Sequence, residues 1–202
     1  MPNLIDVVAA LADVFERLQI RFALGGALAN NYWGIVRATR DVDCLISLPQ
    51  IKYQLFADAL NALGYNLRDK EGHHIPLSVP QLLEQARDRK LIQSYYQTVR
   101  VEFFVPAVPL QDEILRRAVL IQLGGRQVPI TTAEDLILLK LIFHRVKDLL
   151  DVRGILWLQR GRLDLEYLHY WSARTHEQEV QNELEQLIEE YSRDDGANLI
   201  GL

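Results

Sequence analysis

Asp41 and Asp43, separated only by Val42, are the residues of this chain best suited to chemistry. On an extended strand, residues i and i+2 project from one face, so both carboxylates can reach the same hard divalent cation. Magnesium prefers oxygen ligands and is often held by one or two carboxylates together with substrate phosphates. Glu102 is the candidate third carboxylate. It lies mid-strand between Val101 and Phe103, where a charge is costly without a partner. Three such groups make a site able to hold two ions, which can activate an attacking hydroxyl and stabilise a leaving pyrophosphate. Upstream, Gly25 and Gly26 end a short apolar run and lead into a helix, an arrangement that allows close approach of backbone to phosphates.

The elements that must position these residues follow from periodicity. Leu4, Val7, Val8, Leu11, Val14, Phe15 and Leu18 predict an amphipathic helix over residues 3–19. Arg21 to Leu24 reads as a short buried strand, Ala27 to Trp33 as a helix ended by Gly34, and Asp41 to Ser47 as a strand with Asp41, Asp43 and Leu45 on one face. A helix beginning near Ile51 ends at Gly64. Residues 65–80 read mostly as loop, and Gln81 to Lys90 as a short helix. Thr98 to Val105 is the next strand, closed by Pro106 and Pro109. A helix over Gln111–Ala118 precedes a hairpin around Gly124, Gly125 and Arg126. Thr131 and Glu134 have capping-box spacing, which predicts one long helix from there to about Arg153, stopped by Gly154. Leu163–Ala173 and Glu177–Tyr191 read as two more helices, and the last ten residues as frayed. The expected organisation is an α/β core over residues 1–130, with a helical C-terminal part, residues 131–202, packed on it.

Composition narrows the class. The chain has 202 residues, 49% apolar and 24% charged, typical of a globular protein with a sizeable core. Its net charge of −5 supplies no global basic field for nucleic acid, although Arg37, Arg40 and Arg100 gather near the motif. One cysteine, Cys44, excludes an internal disulfide. The N-terminal segment lacks the pattern of a signal peptide, and no apolar run is long enough to span a membrane, so a cytoplasmic protein with no membrane partner is expected. His73-His74 reads as exposed loop, Cys44 as core beneath the aspartates, and Trp157, Tyr167, Tyr170 and Trp171 as core packing at helical spacing. Lys140 lies among Leu136, Leu138, Leu139, Leu141 and Ile142, at the edge of an apolar face from which a lysine can reach nucleotide phosphates. It shares a helical stripe with His144, Lys147, Asp148 and Asp151, whose bland reading is a solvated face with internal ion pairs.

The ordered pattern of apolar-Gly-Gly, helix, Asp-x-Asp strand and later acidic strand resembles the nucleotidyltransferase superfamily with the polymerase-β-like fold. Arg37, Thr39, Asp41 and Asp43 match its Arg-x-Thr-x-Asp-x-Asp signature. Lys140, Arg145, Lys147, Asp148 and Asp151 resemble the later motifs of its abortive-infection toxin-like branch. The resemblance covers roughly residues 20–155. It implies an α/β fold, a small mixed sheet flanked by helices. It implies that Asp41 and Asp43 bind magnesium, that Glu102 takes the third carboxylate position, and that Gly25 and Gly26 contact the triphosphate. Arg37, Thr39, Lys140 and Asp148 would join the nucleotide site. The chain departs from the pattern in having Glu for the more usual Asp at 102, Gly-Gly for the Gly-Ser of many members, and a long Gly26–Asp41 loop. The implied reaction is transfer of a nucleoside monophosphate from an NTP to a hydroxyl or phosphate of RNA, protein or a small hydroxylated molecule. A cognate toxin or antitoxin partner is also implied. The alternative is a catalytically inactive nucleotide-binding or interaction module that keeps the fold.

Overall fold

The computed structural model describes residues 3–193. Two compact units emerge, one of Met1–Leu28 with Ala38–Thr131, the other of Ala29–Arg37 with Thr132–Leu202. The reading of the last ten residues falls, from residue 194 on, outside the described residues.

The first unit carries a mixed α/β architecture. Helix α1 (Leu4–Arg17) starts at Asn3, whose side chain accepts a hydrogen bond from the Ile5 amide. Its apolar stripe buries Val7, Leu11 and Phe15. Strand β1 (Phe22–Leu24) leads into α2 (Gly26–Trp33), and β2 (Asp41–Ile46) into a 3-10 turn and α3 (Tyr53–Ala62). Then come β3 (Leu67–Arg68), β4 (His74–Ile75), α4 (Val79–Arg89), β5 (Leu91–Tyr96), β6 (Val99–Phe104), α5 (Pro109–Arg117), β7 (Val119–Leu123) and β8 (Arg126–Ile130). Six strands form one sheet in the order β5-β6-β2-β1-β8-β7; β3 and β4 pair separately. The β2–β6 and β1–β8 pairs are parallel, the other three antiparallel. Phe15, Phe22, Phe56 and Phe103 meet in one aromatic cluster, with Phe56 and Phe103 edge to face at 5.2 Å.

The second unit is helical: α6 (Ala133–Phe143), α7 (Val146–Leu158), α8 (Leu165–Thr175) and α9 (Gln178–Arg193), together with the last turns of α2 and the chain to Arg37. Among the described residues, no helix is long and apolar enough to cross a membrane.

Four local expectations change. Strand β5 lies where no strand was expected, and Gln97, with φ of 53°, turns it into β6. The expected 65–80 loop holds β3 and β4, a two-stranded ladder too short to show a period. Pro109 does not close a strand but occupies the first helical turn of α5, where its missing N–H costs nothing. The long helix is two. It breaks at His144, which adopts the left-handed conformation at φ of 50°. Its cap is Thr132, which accepts from the Asp135 amide, rather than the expected Thr131 with Glu134. Gly154 lies inside α7 rather than ending it. A Cβ there would approach Ile35 Cγ1 to 3.1 Å, so the glycine permits close packing.

Candidate active site

The alternation of β2 buries Val42 and Cys44 and leaves Asp41 and Asp43 half-buried on the opposite face. Burial, then the charge of Asp43, pushes the Cys44 thiol far up, so it remains protonated core. Strand β6 repeats the pattern, with Val99, Val101 and Phe103 inward and Arg100, Glu102 and Phe104 outward. Register then aligns the two strands, Asp41 opposite Arg100 and Asp43 opposite Glu102. On the other flank of β6, Tyr95 stands opposite Arg100 and Gln93 opposite Glu102. Two rows of side chains therefore cross three strands on one face: Asp41, Arg100, Tyr95, and Asp43, Glu102, Gln93.

The electrostatics of these rows are those of crowded acids. Burial, then the charges of Glu102 and Asp41, push Asp43 up to about 6, against the opposing charge of Arg100. Arg100 donates to Asp41 Oδ2 at 2.6 Å, and its Nε lies 3.5 Å from Glu102 Oε1. Gln93 orients Glu102 by donating to Oε1 at 2.9 Å. The Asp41 amide donates to the Thr39 hydroxyl at 3.2 Å, so Thr39 acts on the backbone entering β2. All three candidate ligands offer carboxylate oxygen, and excess negative charge already strains Asp43. That donor set fits a hard divalent cation.

The glycine pair divides into two roles. Gly25 donates its amide to the Asp43 carbonyl at 2.8 Å, extending the β1–β2 ladder. Gly26, with φ of +53°, opens α2, and a Cβ there would fall 1.8 Å from Asp43 Oδ2. Gly26 therefore makes room for the Asp43 carboxylate beside a helix N-terminus.

The remaining sequence-derived residues collect in the helical unit. Arg37 donates from Nε and Nη2 to Asp151, both at 3.0 Å, and Lys140 donates to Asp151 Oδ2 at 2.5 Å. Arg145 holds Asp148 at 2.5 Å, with Lys140 3.9 Å from the same carboxylate. Burial alone would raise Asp151, but hydrogen bonds from Arg37 and Lys140 outweigh it and hold its pKa below the usual range. Lys140 is 4% exposed, deeper than the edge of an apolar face. In an unbroken helix, Lys140 and Asp151 would stand about 16 Å apart along the axis. The break at His144 brings them into contact.

Other candidates resolve locally. His73 pairs with Asp69, and His74 with Asn66, both histidines exposed in the β3–β4 turn. Among the described residues, Asp69, Glu71 and His73 are the three potential ligands whose atoms lie within 4.8 Å of one another; Asp41, Asp43 and Glu102 form no such tight set. The Asp69 carboxylate already accepts the Glu71 and His73 amides, which accounts for that cluster as turn chemistry. The expected aromatic core is also corrected. Tyr170 is 51% exposed beneath the Arg174 guanidinium, and Tyr167 is half-buried, donating its hydroxyl to Asp135 at 2.6 Å. The α8 helix presents these rings at its polar margin, where their polar edges find partners.

Sequence reasoning missed Gln93 and the part Arg100 plays. The signal for Gln93 was present: Ile92 and Ser94 inward, Gln93 and Tyr95 outward.

The sequence model of the family described as "Nucleotidyl transferase AbiEii toxin, Type IV TA system" matches residues 9–198. Among solved structures, the chain is similar to an antigenic nucleotidyltransferase-like protein from Paracoccidioides brasiliensis, at 19% identity and TM-score 0.52, with 92% of each chain covered. It is also similar to the antibiotic-resistance factor ANT(2'')-Ia in its solution structure, at 12% identity and TM-score 0.53, covering 91% of this chain and 95% of that one. The structure of ANT(2'')-Ia in complex with adenylyl-2''-tobramycin matches at 11% identity and TM-score 0.53, covering 85% and 96%. At these identities the likeness is one of fold. No curated protein matches the sequence.

Proposed function

The chain belongs to the AbiEii nucleotidyltransferase toxin family, and we propose that it moves a nucleoside monophosphate from an NTP to an acceptor hydroxyl or phosphate at the open face of its sheet. The observation that carries this reading is the register of β2 against β6. It gathers Asp41, Asp43 and Glu102 on one face with enough like charge to raise Asp43 to about 6. These three carboxylates would hold magnesium, which when bound supplies charge neutralisation at the phosphoryl group and its leaving oxygen.

The chain's own residues divide the remaining work. Gly26 opens the backbone beside Asp43, so the α2 N-terminus is available to the triphosphate, with Gly25 beside it. Thr39 fixes the entry to β2, and Gln93 fixes Glu102. Glu102 accepts the proton of the attacking hydroxyl as the new oxygen–phosphorus bond forms. The bond to pyrophosphate breaks and pyrophosphate leaves. Arg37, Lys140 and Asp148 belong to the nucleotide site in this reading, with Asp151 as the anion that holds Arg37 and Lys140 ready. The setting is cytoplasmic, and the family's toxin–antitoxin description supports a cognate antitoxin as functional partner.

A second reading, a non-catalytic module keeping the fold, draws on Arg100, whose guanidinium already supplies a cation to Asp41 at 2.6 Å. Incubation with each labelled NTP, magnesium and total cellular RNA and protein separates the two. Transfer by the wild type and its loss in Asp43→Asn support the enzyme. No transfer, with no nucleotide-induced shift in melting temperature, refutes it.

A further inference from the structure

The side-chain rows do not stop at the carboxylates. Gly26 lies on the β1 side of Asp43, so the triphosphate approaches from that flank. The opposite flank, across β6 to β5, is left for the acceptor. There the first row ends in Tyr95, two strands from Asp41 and therefore about 10 Å away. Asn66 makes an isolated bridge to Tyr95, exchanging backbone hydrogen bonds of 2.9 and 2.8 Å. This sets Arg68, two residues on, diagonally across from the ring. Its guanidinium carbon lies 4.2 Å from the Tyr95 ring centroid.

The half-buried Tyr95 and the exposed Arg68 have no part in the sheet's core. His74, opposite Arg68 in the β3–β4 ladder, adds a further ring on the same exposed edge. Asp69, the nearest acid in sequence, is occupied by the amides of its own turn. A guanidinium over an aromatic face, one row from Arg100, suits a flat heteroaromatic ring attached to a phosphate. The ring stacks and the phosphate meets the arginines.

From this geometry we infer that Arg68 and Tyr95 form the acceptor subsite, and that they seat the terminal base of a single-stranded RNA with its end directed at Glu102. The inference rests on the nucleotidyl-transfer reading above and names its acceptor class. A protein side chain or a polyhydroxylated small molecule would gain little from such a platform.

The test uses the full chain and short single-stranded oligoribonucleotides. Transfer from labelled NTP is measured against oligonucleotide and NTP concentration for wild type, Tyr95→Ala, Tyr95→Phe and Arg68→Ala. Stacking of one base predicts a loss of about ten-fold or more in kcat/KM for the oligonucleotide in Tyr95→Ala. The KM for NTP should be unchanged, and Tyr95→Phe should restore most of the loss. Binding of a fluorescently labelled heptaribonucleotide, followed by anisotropy, should fall in parallel. A raised KM for NTP with unchanged oligonucleotide KM overturns the inference, because the ring would then hold the donor base. Wild-type transfer to protein or to an aminoglycoside, but not to RNA, also overturns it while leaving the transferase reading intact. Absence of transfer to every acceptor, with no NTP binding, removes the transferase reading itself. In that case, anisotropy indifferent to Tyr95→Ala removes this inference separately.

Discussion

Gly26→Ala is the substitution for which the structure gives the sharpest expectation, because its neighbour Gly25 serves as an internal control. At Gly26 the added Cβ would stand 1.8 Å from Asp43 Oδ2, 2.6 Å from Cγ and 2.8 Å from Cβ. Rotation of the carboxylate can relieve the first contact. It cannot relieve the last, because Asp43 Cβ is fixed by a strand paired on both sides. The residue also sits at φ of +53°, where a side chain costs roughly 1 kcal/mol. Forcing Asp43 off its rotamer adds about 1 kcal/mol. The sum of about 2 kcal/mol corresponds to a fall in melting temperature of roughly 4–8 °C for a chain of this size. At Gly25 the nearest atom to an added Cβ is the Asp43 carbonyl oxygen at 4.0 Å, an ordinary contact. Gly25→Ala should therefore melt close to wild type. Differential scanning fluorimetry measures both, and nucleotide-transfer assays measure what survives of activity. Gly26→Ala should lose at least ten-fold in kcat because the Asp43 carboxylate moves. Loss of NTP affinity in Gly25→Ala without a change in melting would locate the phosphate contact at its backbone. Equal melting temperatures and equal kcat for the two variants would refute the steric argument.

Two further outcomes follow from the charges. Asp43 is raised from an unfolded value near 3.8 to about 6, so the folded state binds this proton more tightly. Its stabilising contribution is full below about pH 4 and is lost as pH rises towards 6, on the order of 2–3 kcal/mol. Asp43→Asn should abolish that dependence, leaving the variant more stable than wild type at pH 7 and equal to it near pH 4 in urea titrations; parallel pH profiles would contradict the crowding. Magnesium should stabilise the wild type more at pH 7.5 than at pH 5, and Asp43→Asn at neither, as read by thermal shift. In the helical unit, Lys140 and Asp151 side chains are 5% and 6% exposed. Asp151→Asn leaves the ammonium short of its counter-charge and should cost about 3 kcal/mol. Lys140→Met in the same background should recover part of that loss by denaturant unfolding, and a further loss would show the lysine to be paired elsewhere.

The sequence carried much of the site because its parts are local. Two aspartates at i and i+2 share a face whatever the rest of the chain does, and the same alternation sends Cys44 to the core. Glu102 could be nominated because a carboxylate in an apolar strand demands a partner, and β6 lies beside β2 in register. Stripes such as Val7, Leu11 and Phe15 mark helices for the same local reason.

Contacts between residues distant in sequence were decided by tertiary structure. Which of two glycines makes room for Asp43 depends on the β1–β2 pairing, and sequence read them alike. Gln93 reaches Glu102 only because β5 turns back at Gln97 and pairs antiparallel with β6. Periodicity ran straight through His144, since one left-handed residue leaves the spacing of apolar positions undisturbed on either side. That single backbone angle turns a solvated stripe into a buried charge cluster, in which Lys140 meets Asp151 at 2.5 Å rather than about 16 Å along a helix. Spacing along the chain reports which face a residue takes; which partner it finds there depends on how the faces are brought together.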